Sequence, residues 1–209
     1  MSALAKEKRK TRAVAGSYSD LSEGEAEAAL VDRAKGGDRK AFRILVERYQ
    51  RRLLGFIFTM AGSWEDAEDI AQESFVRAYF SLKNFRKDSS FYTWLCRIAY
   101  NMTIDLKRKS LKKQKFFSID ENDDRGLKEV AASDNPAADL YRKEAGMAIE
   151  RAMDRLSEEH RSVIFLREIE GMSYKEIAKV TGTSSGTVMS RIHYAKKALQ
   201  SMLKKYRSP

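Results

Sequence analysis

Residues 174–192 read YKEIAKVTGTSSGTVMSRI, and this stretch decides the fold of the C-terminal part of the chain. Two helices that meet in a helix-turn-helix need a small residue where they approach closely, and Ala178 supplies it. The turn needs a residue that tolerates positive φ, and Gly182 supplies that. Apolar residues for the inner side of both helices are Ile177, Val188 and Ile192. The stretch therefore predicts a helix-turn-helix, the motif that places its second helix against duplex DNA.

The second helix of this motif carries side chains that can donate to phosphates or base edges. The candidate duplex-contacting residues, in and just beyond the segment from Tyr174 to His193, are Ser185, Gly186, Thr187, Ser190, Arg191, His193, Tyr194 and Lys197. From Ser184 to the C-terminus there are six basic residues and no acidic one. A DNA-reading helix is therefore favoured, and a plain helical hairpin with a solvated basic face is the alternative.

The N-terminal half predicts amphipathic helices. After a short helical pattern at residues 25–35, apolar residues recur at three- and four-residue spacing from Phe42 to Met60, between the N-cap Asp38 and Gly62. Ser63 caps a second amphipathic helix, which extends to about residue 82. A third extends from about residue 91 to 109, and its core stripe is Phe91, Trp94, Leu95, Ile98, Met102 and Leu106.

These patterns predict an all-α fold with two small helical domains joined by a flexible linker. The chain has only two prolines, which favours long helices over a turn-dense all-β fold. We expect a disordered basic tail at residues 1–22, a helical bundle at 23–112, a flexible linker at 113–139 and the helix-turn-helix domain at 140–209. The linker prediction rests on acidic residues and Pro136 in a segment with few large apolar side chains.

Composition narrows the classes of function. The chain has 40 Lys and Arg against 30 Asp and Glu, a net charge of +10, which favours a polyanionic partner. No apolar run approaches the roughly 20 residues that span a bilayer, so no membrane insertion and a cytoplasmic location are expected. One cysteine and two histidines leave little material for a metal site or His-based chemistry. No catalytic residue, metal or cofactor is predicted, and Cys96 is interpreted as a core thiol.

One helix is strongly acidic. Between Glu65 and Glu73 the net charge is −5, and no basic residue follows until Arg77. Residues at three- and four-residue spacing on one face are Asp66, Asp69, Gln72, Glu73 and Val76. Part of this negative charge compensates the helix dipole. An ordinary solvated helix surface is the alternative to a binding face. On a basic protein that binds DNA, such a face suits a basic protein partner. The alternative function, a stand-alone helix-turn-helix regulator that binds duplex DNA without a polymerase, would have no use for this face.

Aromatic and basic residues are interleaved around the third helix. Tyr92, Tyr100 and Asn101 fall outside its core stripe, whereas Trp94 lies on it and is interpreted as core. Aromatic side chains among cations suit stacking on unpaired bases while the cations hold the backbone. The segment is therefore a candidate single-stranded DNA interface.

Two separate motifs resemble the sigma-70 family of bacterial RNA polymerase factors. The stretch DAEDIAQESFVRAY at 66–79, with FYTWLCRIAYN at 91–101, resembles conserved region 2. Residues 156–188, including GMSY at 171–174, resemble region 4. The short length and the absence of an intervening domain resemble the extracytoplasmic-function (ECF, group IV) class. The resemblance covers about residues 25–110 and 140–205.

The resemblance implies a non-enzymatic factor that directs core RNA polymerase to promoters. The acidic face would dock on the β′ clamp helices, the C-terminal domain would sit on the β flap, and the linker would thread toward the RNA exit path. The helix-turn-helix would read the minus-35 element, although Met189 and Tyr194 stand where many relatives carry basic residues. An anti-sigma factor is an expected partner and could hold the chain at the inner membrane face.

The resemblance also implies that the loop at 85–90 and the third helix capture the unpaired minus-10 strand. Flipping a base out of the duplex costs a few kcal/mol, so new partners must receive it. The candidate minus-10 residues are Phe85, Arg86, Lys87, Asp88, Ser89, Ser90, Tyr92, Arg97, Tyr100, Asn101 and Arg108.

Overall fold

The structure is a computed structural model that describes residues 23–114 and 136–206. Over these residues it contains eight α-helices and no strand, so the all-α prediction is confirmed. The N-terminal bundle consists of α1 (Glu23–Lys35), α2 (Arg39–Ala61), α3 (Trp64–Ser81), a 3₁₀ turn (Leu82–Asn84) and α4 (Phe91–Gln114). The C-terminal domain consists of α5 (Pro136–Asp154), α6 (Glu158–Ile164), a π turn (Phe165–Ile169), α7 (Tyr174–Thr181), α8 (Ser185–Met202) and a 3₁₀ turn (Lys204–Tyr206).

The helix ends of the bundle lie where the predicted capping residues stand. The Asp38 carboxylate accepts hydrogen bonds from the backbone N–H groups of Lys40 and Ala41, at 2.9 and 3.2 Å. Gly62 ends α2 at φ +82°, a left-handed conformation that favours glycine. The Ser63 hydroxyl then accepts from the backbone N–H of Asp66 and begins α3.

The core of the bundle is the apolar stripe of α2, which contacts all three other helices of the bundle. Its fully or nearly fully buried members are Ala41, Phe42, Leu45, Tyr49, Leu53, Phe56, Ile57, Met60 and Ala61. The predicted stripe is therefore confirmed, except that Val46 is only partly buried. Burial of this many large apolar side chains supplies the main driving force for folding of the bundle.

The helix-turn-helix forms as predicted. Ser173 and Glu176 make a reciprocal capping box at the start of α7. Gly182 closes α7 in the left-handed conformation, at φ +66°. Residues Ile177, Val188 and Ile192 are buried between the two helices.

Two element boundaries differ from the prediction. The apolar residues Val163, Ile164, Leu166 and Ile169, between Ser157 and Gly171, predict one helix, but α6 ends at Ile164 and a π turn follows it as far as Ile169. Helix α4 continues to Gln114, and α5 begins at Pro136, so both helices enter the predicted linker. Proline is suited to a helix start because its missing N–H would have no partner there. The remaining linker and the predicted tail at residues 1–22 lie outside the described residues.

The bundle and the C-terminal domain share one apolar core. Helix α7 packs along α4, and α6 packs against α2. At the second contact the Phe165 ring lies 5.8 Å from the Phe56 ring, measured between centroids. A Cβ added to Gly55 would lie 3.9 Å from the Phe165 ring, an ordinary van der Waals contact.

Candidate nucleic-acid interface

Helix α8 carries most of the candidate duplex-contacting residues on its outer side. Ser184 begins the helix by accepting a hydrogen bond from the Thr187 backbone N–H at 3.0 Å. The exposed candidates are Ser185, Gly186, Ser190, His193, Tyr194 and Lys197, and Thr187 is partly buried. Met189 is also 57% exposed, so the outward surface is hydroxylic, basic and partly apolar. Such a surface can donate to phosphates and can contact a thymine methyl group.

Arg191 does not lie on that outer surface. Its side chain is only 18% exposed, and its Nη2 lies 2.6 Å from Oε2 of Glu159 at the start of α6. The prediction that Arg191 faces outward is therefore wrong for this structure. The acidic first turn of α6 draws the guanidinium into the junction between α6 and α8.

The loop after α3 borders an open, basic cleft of about 550 Å³. Four cations and two other residues line it, namely Lys35, Lys83, Arg86, Lys87, Asn84 and Phe85. Lys35 Nζ donates to the Phe85 carbonyl at 2.7 Å, and Lys87 Nζ lies 2.6 Å from an Asp32 carboxylate oxygen. Helix α1 therefore anchors the loop, and the remaining positive charge of the cleft suits an anionic backbone.

Sequence reasoning missed Lys35 and Lys83 as members of this cleft. Lys35 is the last residue of α1, separated by 50 residues from the carbonyl to which it donates. No local pattern predicts such a contact. Lys83 stands two residues before the predicted loop, so its basic charge there was the available signal.

The three aromatic candidates of the minus-10 set are buried, which corrects their interpretation as surface platforms. Phe85, Tyr92 and Tyr100 are 5%, 5% and 7% exposed. The Phe85 ring packs against Trp94 at 5.0 Å and Phe91 at 6.2 Å, so it belongs to the core of the bundle. None of these rings can stack on a base in this arrangement.

The reason is a second buried stripe on α4. Its members recur at three- and four-residue spacing and are all buried: Tyr92, Cys96, Ala99, Tyr100 and Thr103. The Tyr92 ring stacks on Tyr49 of α2 at 5.1 Å. Burial raises the pKa of the Cys96 thiol and of the Tyr100 phenol, so both stay protonated near neutrality. The interpretation of Cys96 as a core thiol therefore holds.

The polar minus-10 candidates remain at the surface. The exposed members are Arg86, Lys87, Asp88, Ser90, Arg97, Asn101 and Arg108, and Ser89 is partly buried. Arg97, Asn101 and Arg108 belong to α4 and the others to the loop that precedes it. Together with the basic cleft they offer cations, an amide and hydroxyl groups to an extended, anionic ligand.

The acidic face of α3 is exposed and is bordered by apolar side chains. Asp69, Gln72 and Glu73 are exposed, Asp66 is partly buried, and Val76 is 48% exposed. Phe80 follows Val76 by four residues on the same face and is 79% exposed, more than any other large apolar residue described. The prediction did not include Phe80, although its spacing from Asp69, Gln72 and Val76 was a usable signal.

Over residues 23–114 and 136–206, no group of three or more His, Cys, Asp or Glu side chains could hold a metal ion. Within the same ranges, no helix combines the length and apolar character that a membrane crossing requires.

Comparison with known families identifies both halves of the chain. The model described as Sigma-70 region 2 matches residues 45–113, and the model described as Sigma-70, region 4 matches residues 146–199. The RNA polymerase sigma-H factor of Pseudomonas aeruginosa is 36% identical over 185 residues, which is 86% of this chain and 94% of that protein. The ECF RNA polymerase sigma-E factor of Escherichia coli is 37% identical over 185 residues, 86% of this chain and 95% of that protein.

Two solved structures have a similar fold. The sigma factor RpoE of Bartonella quintana, in complex with the anti-sigma factor NepR, has a TM-score of 0.67 at 22% identity and covers 79% of this chain and 98% of its own. CnrH, in complex with the cytosolic domain of CnrY, has a TM-score of 0.61 at 28% identity and covers 86% of this chain and 98% of its own.

Proposed function

We propose, because this chain belongs to the extracytoplasmic-function group of the sigma-70 family, that it contacts RNA polymerase through α3 and promoter DNA through α8, the basic cleft and α4. The chain is a promoter-directed transcription initiation factor and not an enzyme. The observation that carries this assignment of surfaces is the separation of charge. Residues 65–73 have a net charge of −5, whereas residues 184–209 have a net charge of +6.

The α3 face is proposed to dock on the clamp helices of the β′ subunit. Val76 and Phe80 form an exposed apolar centre, and Asp69 and Glu73 form an acidic margin. An apolar centre within a polar rim is the usual anatomy of a protein interface, and an exposed aromatic residue is a typical binding hot spot. The acidic margin would give the complex its register against a basic partner.

The docking proposal is tested by reversing one charge. Full-length chain with Asp69→Lys should bind core polymerase about tenfold more weakly in a titration, because the new positive charge at the margin of the α3 face would repel a basic partner. Glu47→Lys is the matched control, since Glu47 is also an exposed acidic residue but belongs to α2 and lies outside the α3 face. Equal affinity of the two variants would exclude this face as the docking surface.

The DNA surfaces are proposed to divide the promoter between them. The exposed side of α8 would read the minus-35 element as duplex, while the cleft, Arg97 and Asn101 would hold the unpaired minus-10 strand. The C-terminal domain would also contact the β flap. Support comes from the exposed donors on α8 and from the four cations that line the cleft.

Run-off transcription with core polymerase on genomic fragments tests the division of the promoter. Mapped start sites would define the two elements. Ser190→Ala should then change the preference among minus-35 sequences, whereas Arg86→Ala should weaken open-complex formation uniformly. If Arg86→Ala altered only minus-35 preference, the assignment of the cleft would be wrong.

Control by an anti-sigma factor is part of the proposal. It is supported by the similarity to RpoE and CnrH, which were each solved with a bound partner. Location at the inner membrane face would follow only if that partner is membrane-bound. Co-purification of the tagged chain with one stoichiometric partner, and its loss on induction of transcription, is the measurement that checks it.

A further inference from the structure

The loop at residues 85–90, the minus-10 loop, is held at both of its ends by α1. At its start, the Phe85 ring is 5% exposed, and the Phe85 carbonyl accepts a hydrogen bond from Lys35 Nζ at 2.7 Å. Just after its end, the Phe91 backbone N–H donates to Oε1 of Glu27 at 3.0 Å. Lys35 and Glu27 both belong to α1. The ends of the loop are therefore placed by a helix that lies far from it in the chain.

A third residue of α1 contacts the middle of the loop. The Nζ of Lys87 lies 2.6 Å from Oδ1 of Asp32 and 2.7 Å from Oδ2. The two side chains are 43% and 60% exposed, so the pair contributes little to the free energy of unfolding. Lys179 of α7 donates to the Asp88 carbonyl, so the loop has a contact outside the bundle as well. Within the bundle, it is Asp32 that holds the middle of the loop beside α1.

The backbone of Lys87 has an uncommon conformation. Its φ is +59°, in the left-handed region, and within residues 23–114 and 136–206 no other non-glycine residue has a positive φ. A residue with a Cβ adopts this region at a steric cost and keeps it where surrounding contacts hold it. Lysine lacks the short polar side chain with which Asn or Asp stabilises this conformation locally. The contact of Lys87 with Asp32 of α1 supplies such support from outside the loop.

Helix α1 is itself firmly placed in the bundle. Leu30, Val31 and Ala34 are at most 5% exposed and belong to the apolar core. Its last turn is joined to the N-cap of α2, because Nη2 of Arg33 lies 2.6 Å from Oδ2 of Asp38. A side chain on a helix fixed in this way can position a loop more accurately than the exposed residues of the loop can position one another.

We propose that Asp32 is a positioning residue for the minus-10 loop. Its ion pair with Lys87 maintains the positive φ of that residue, and this backbone conformation sets the direction in which Arg86 and Asp88 face an unpaired base. Asp32 is an anion beside a basic cleft, so it does not itself bind the DNA backbone. Sequence preference at the minus-10 element thus depends on a carboxylate that does not contact the DNA. This inference rests on the minus-10 reading proposed above for the loop.

A purely electrostatic effect of Asp32 would have a different signature. Removal of an anion beside the cleft raises the attraction for every DNA strand alike, so it changes the overall affinity and leaves the ratio between two sequences unchanged. Loss of a positioning contact lowers that ratio, because contacts to bases specify the sequence and contacts to phosphates do not. The ratio of two affinities is therefore the quantity to measure.

The probe is a fluorescent promoter fragment that contains a start site mapped by run-off transcription and is left unpaired across the minus-10 element. A second fragment carries the same element with its bases permuted. Holoenzyme is assembled from core polymerase and full-length chain, and discrimination is the ratio of the two Kd values. With Asp32→Ala, discrimination should fall about fourfold, whereas the affinity for the permuted fragment should not fall.

Glu47→Ala is the matched control, because it removes an equal charge from an exposed ion pair, with Arg43, that lies within α2. Its discrimination should equal that of the wild type. Asp32→Glu keeps the carboxylate and should stay within about twofold of the wild type. Discrimination by Asp32→Glu as low as that of Asp32→Ala would overturn the role of the carboxylate.

A double-mutant cycle tests whether Asp32 acts through Lys87. In a Lys87→Ala background, Asp32→Ala should cause no further fall in discrimination, because the partner is already absent. An equal fall in both backgrounds would overturn positioning through Lys87.

The same titrations distinguish failure of this inference from failure of the proposed function. If wild-type holoenzyme bound the two fragments equally, minus-10 reading by the loop would be excluded, and the role of Asp32 with it. If wild type and Asp32→Ala both discriminated to the same degree, only the positioning role of Asp32 would be overturned.

Discussion

Arg191 of α8 and Glu159 of α6 form an ion pair in which Nη2 and Oε2 are 2.6 Å apart. The pair joins α8, the helix proposed to read duplex DNA, to the first turn of α6, near Tyr100 of the bundle. A basic residue on a helix proposed to contact DNA can therefore stabilise the packing of its own domain instead of binding DNA. The distinction matters for Lys197, which lies on the same helix but is exposed.

Arg191→Ala and Lys197→Ala should separate these two roles. Arg191→Ala should lower the free energy of unfolding by about 1 kcal/mol, because it removes the pair and its partly buried stem. Lys197→Ala should leave the free energy of unfolding within about 0.5 kcal/mol and should reduce the salt dependence of duplex binding by about one released counterion. Urea unfolding measures the free energy of unfolding, and DNA titrations at several salt concentrations measure the salt dependence of duplex binding. Identical profiles for the two variants would contradict the distinction.

Phe80 should be a binding residue that contributes little to stability. At 79% exposure, Phe80→Ala should change the free energy of unfolding by less than about 0.5 kcal/mol and weaken core polymerase binding about tenfold. Phe75→Ala on the same helix is the contrasting variant, because Phe75 is 8% exposed and its loss should cost about 3 kcal/mol or more. A Phe80→Ala chain with undiminished polymerase affinity would remove Phe80 from the docking face.

Local patterns of the sequence predicted the helices well, because each depends on neighbouring residues. The Asp38 cap, the glycine stops at Gly62 and Gly182, and the apolar stripe of α2 all stand where spacing and side-chain chemistry placed them. Such features need no knowledge of what packs against the helix. The fold class followed from them.

Contacts between distant segments could not be predicted in the same way. Tyr92 and Tyr100 carry both an aromatic ring and a hydroxyl, so their position off the first stripe of α4 was compatible with either surface or core. The packing of α2 and of the C-terminal domain against α4 decides for burial. Likewise, the partner of Arg52 is Glu170, 118 residues further along the chain. A residue's role in the candidate site thus depends on contacts between segments that lie far apart in the chain.

Acidification should remove the contribution of the α7 capping box. Hydrogen bonds from Ser173 hold the pKa of Glu176 below its ordinary value, with a further contribution from Thr93. Because the folded-state pKa is lowered, the stabilisation is complete above the unfolded value near 4.5 and is lost as the pH falls through the folded value.

The test compares wild type with Glu176→Gln, which keeps a capping side chain but does not titrate. The variant should be less stable by up to about 1 kcal/mol at pH 7, and the difference should shrink toward pH 3. Urea unfolding at pH 7, 5, 4 and 3 measures it. If the difference in unfolding free energy between wild type and Glu176→Gln stayed constant across this range, the charge of the Glu176 carboxylate would not contribute to the capping box.

Alkaline pH should expose the role of Tyr49. Burial, with a hydrogen bond from its hydroxyl to the Glu27 carboxylate, raises the pKa of Tyr49 to about 12. A raised pKa stabilises the fold fully below pH 10, and this contribution, at most about 2.7 kcal/mol, is lost between pH 10 and 12. Tyr49→Phe should therefore be less stable than wild type at pH 8, and the two unfolding free energies should converge toward pH 12. Tyr194→Phe is the control, because its ring is exposed, and its unfolding free energy should follow that of the wild type at every pH. If the unfolding free energy of Tyr49→Phe ran parallel to that of the wild type, the buried phenol would be excluded as the titrating group.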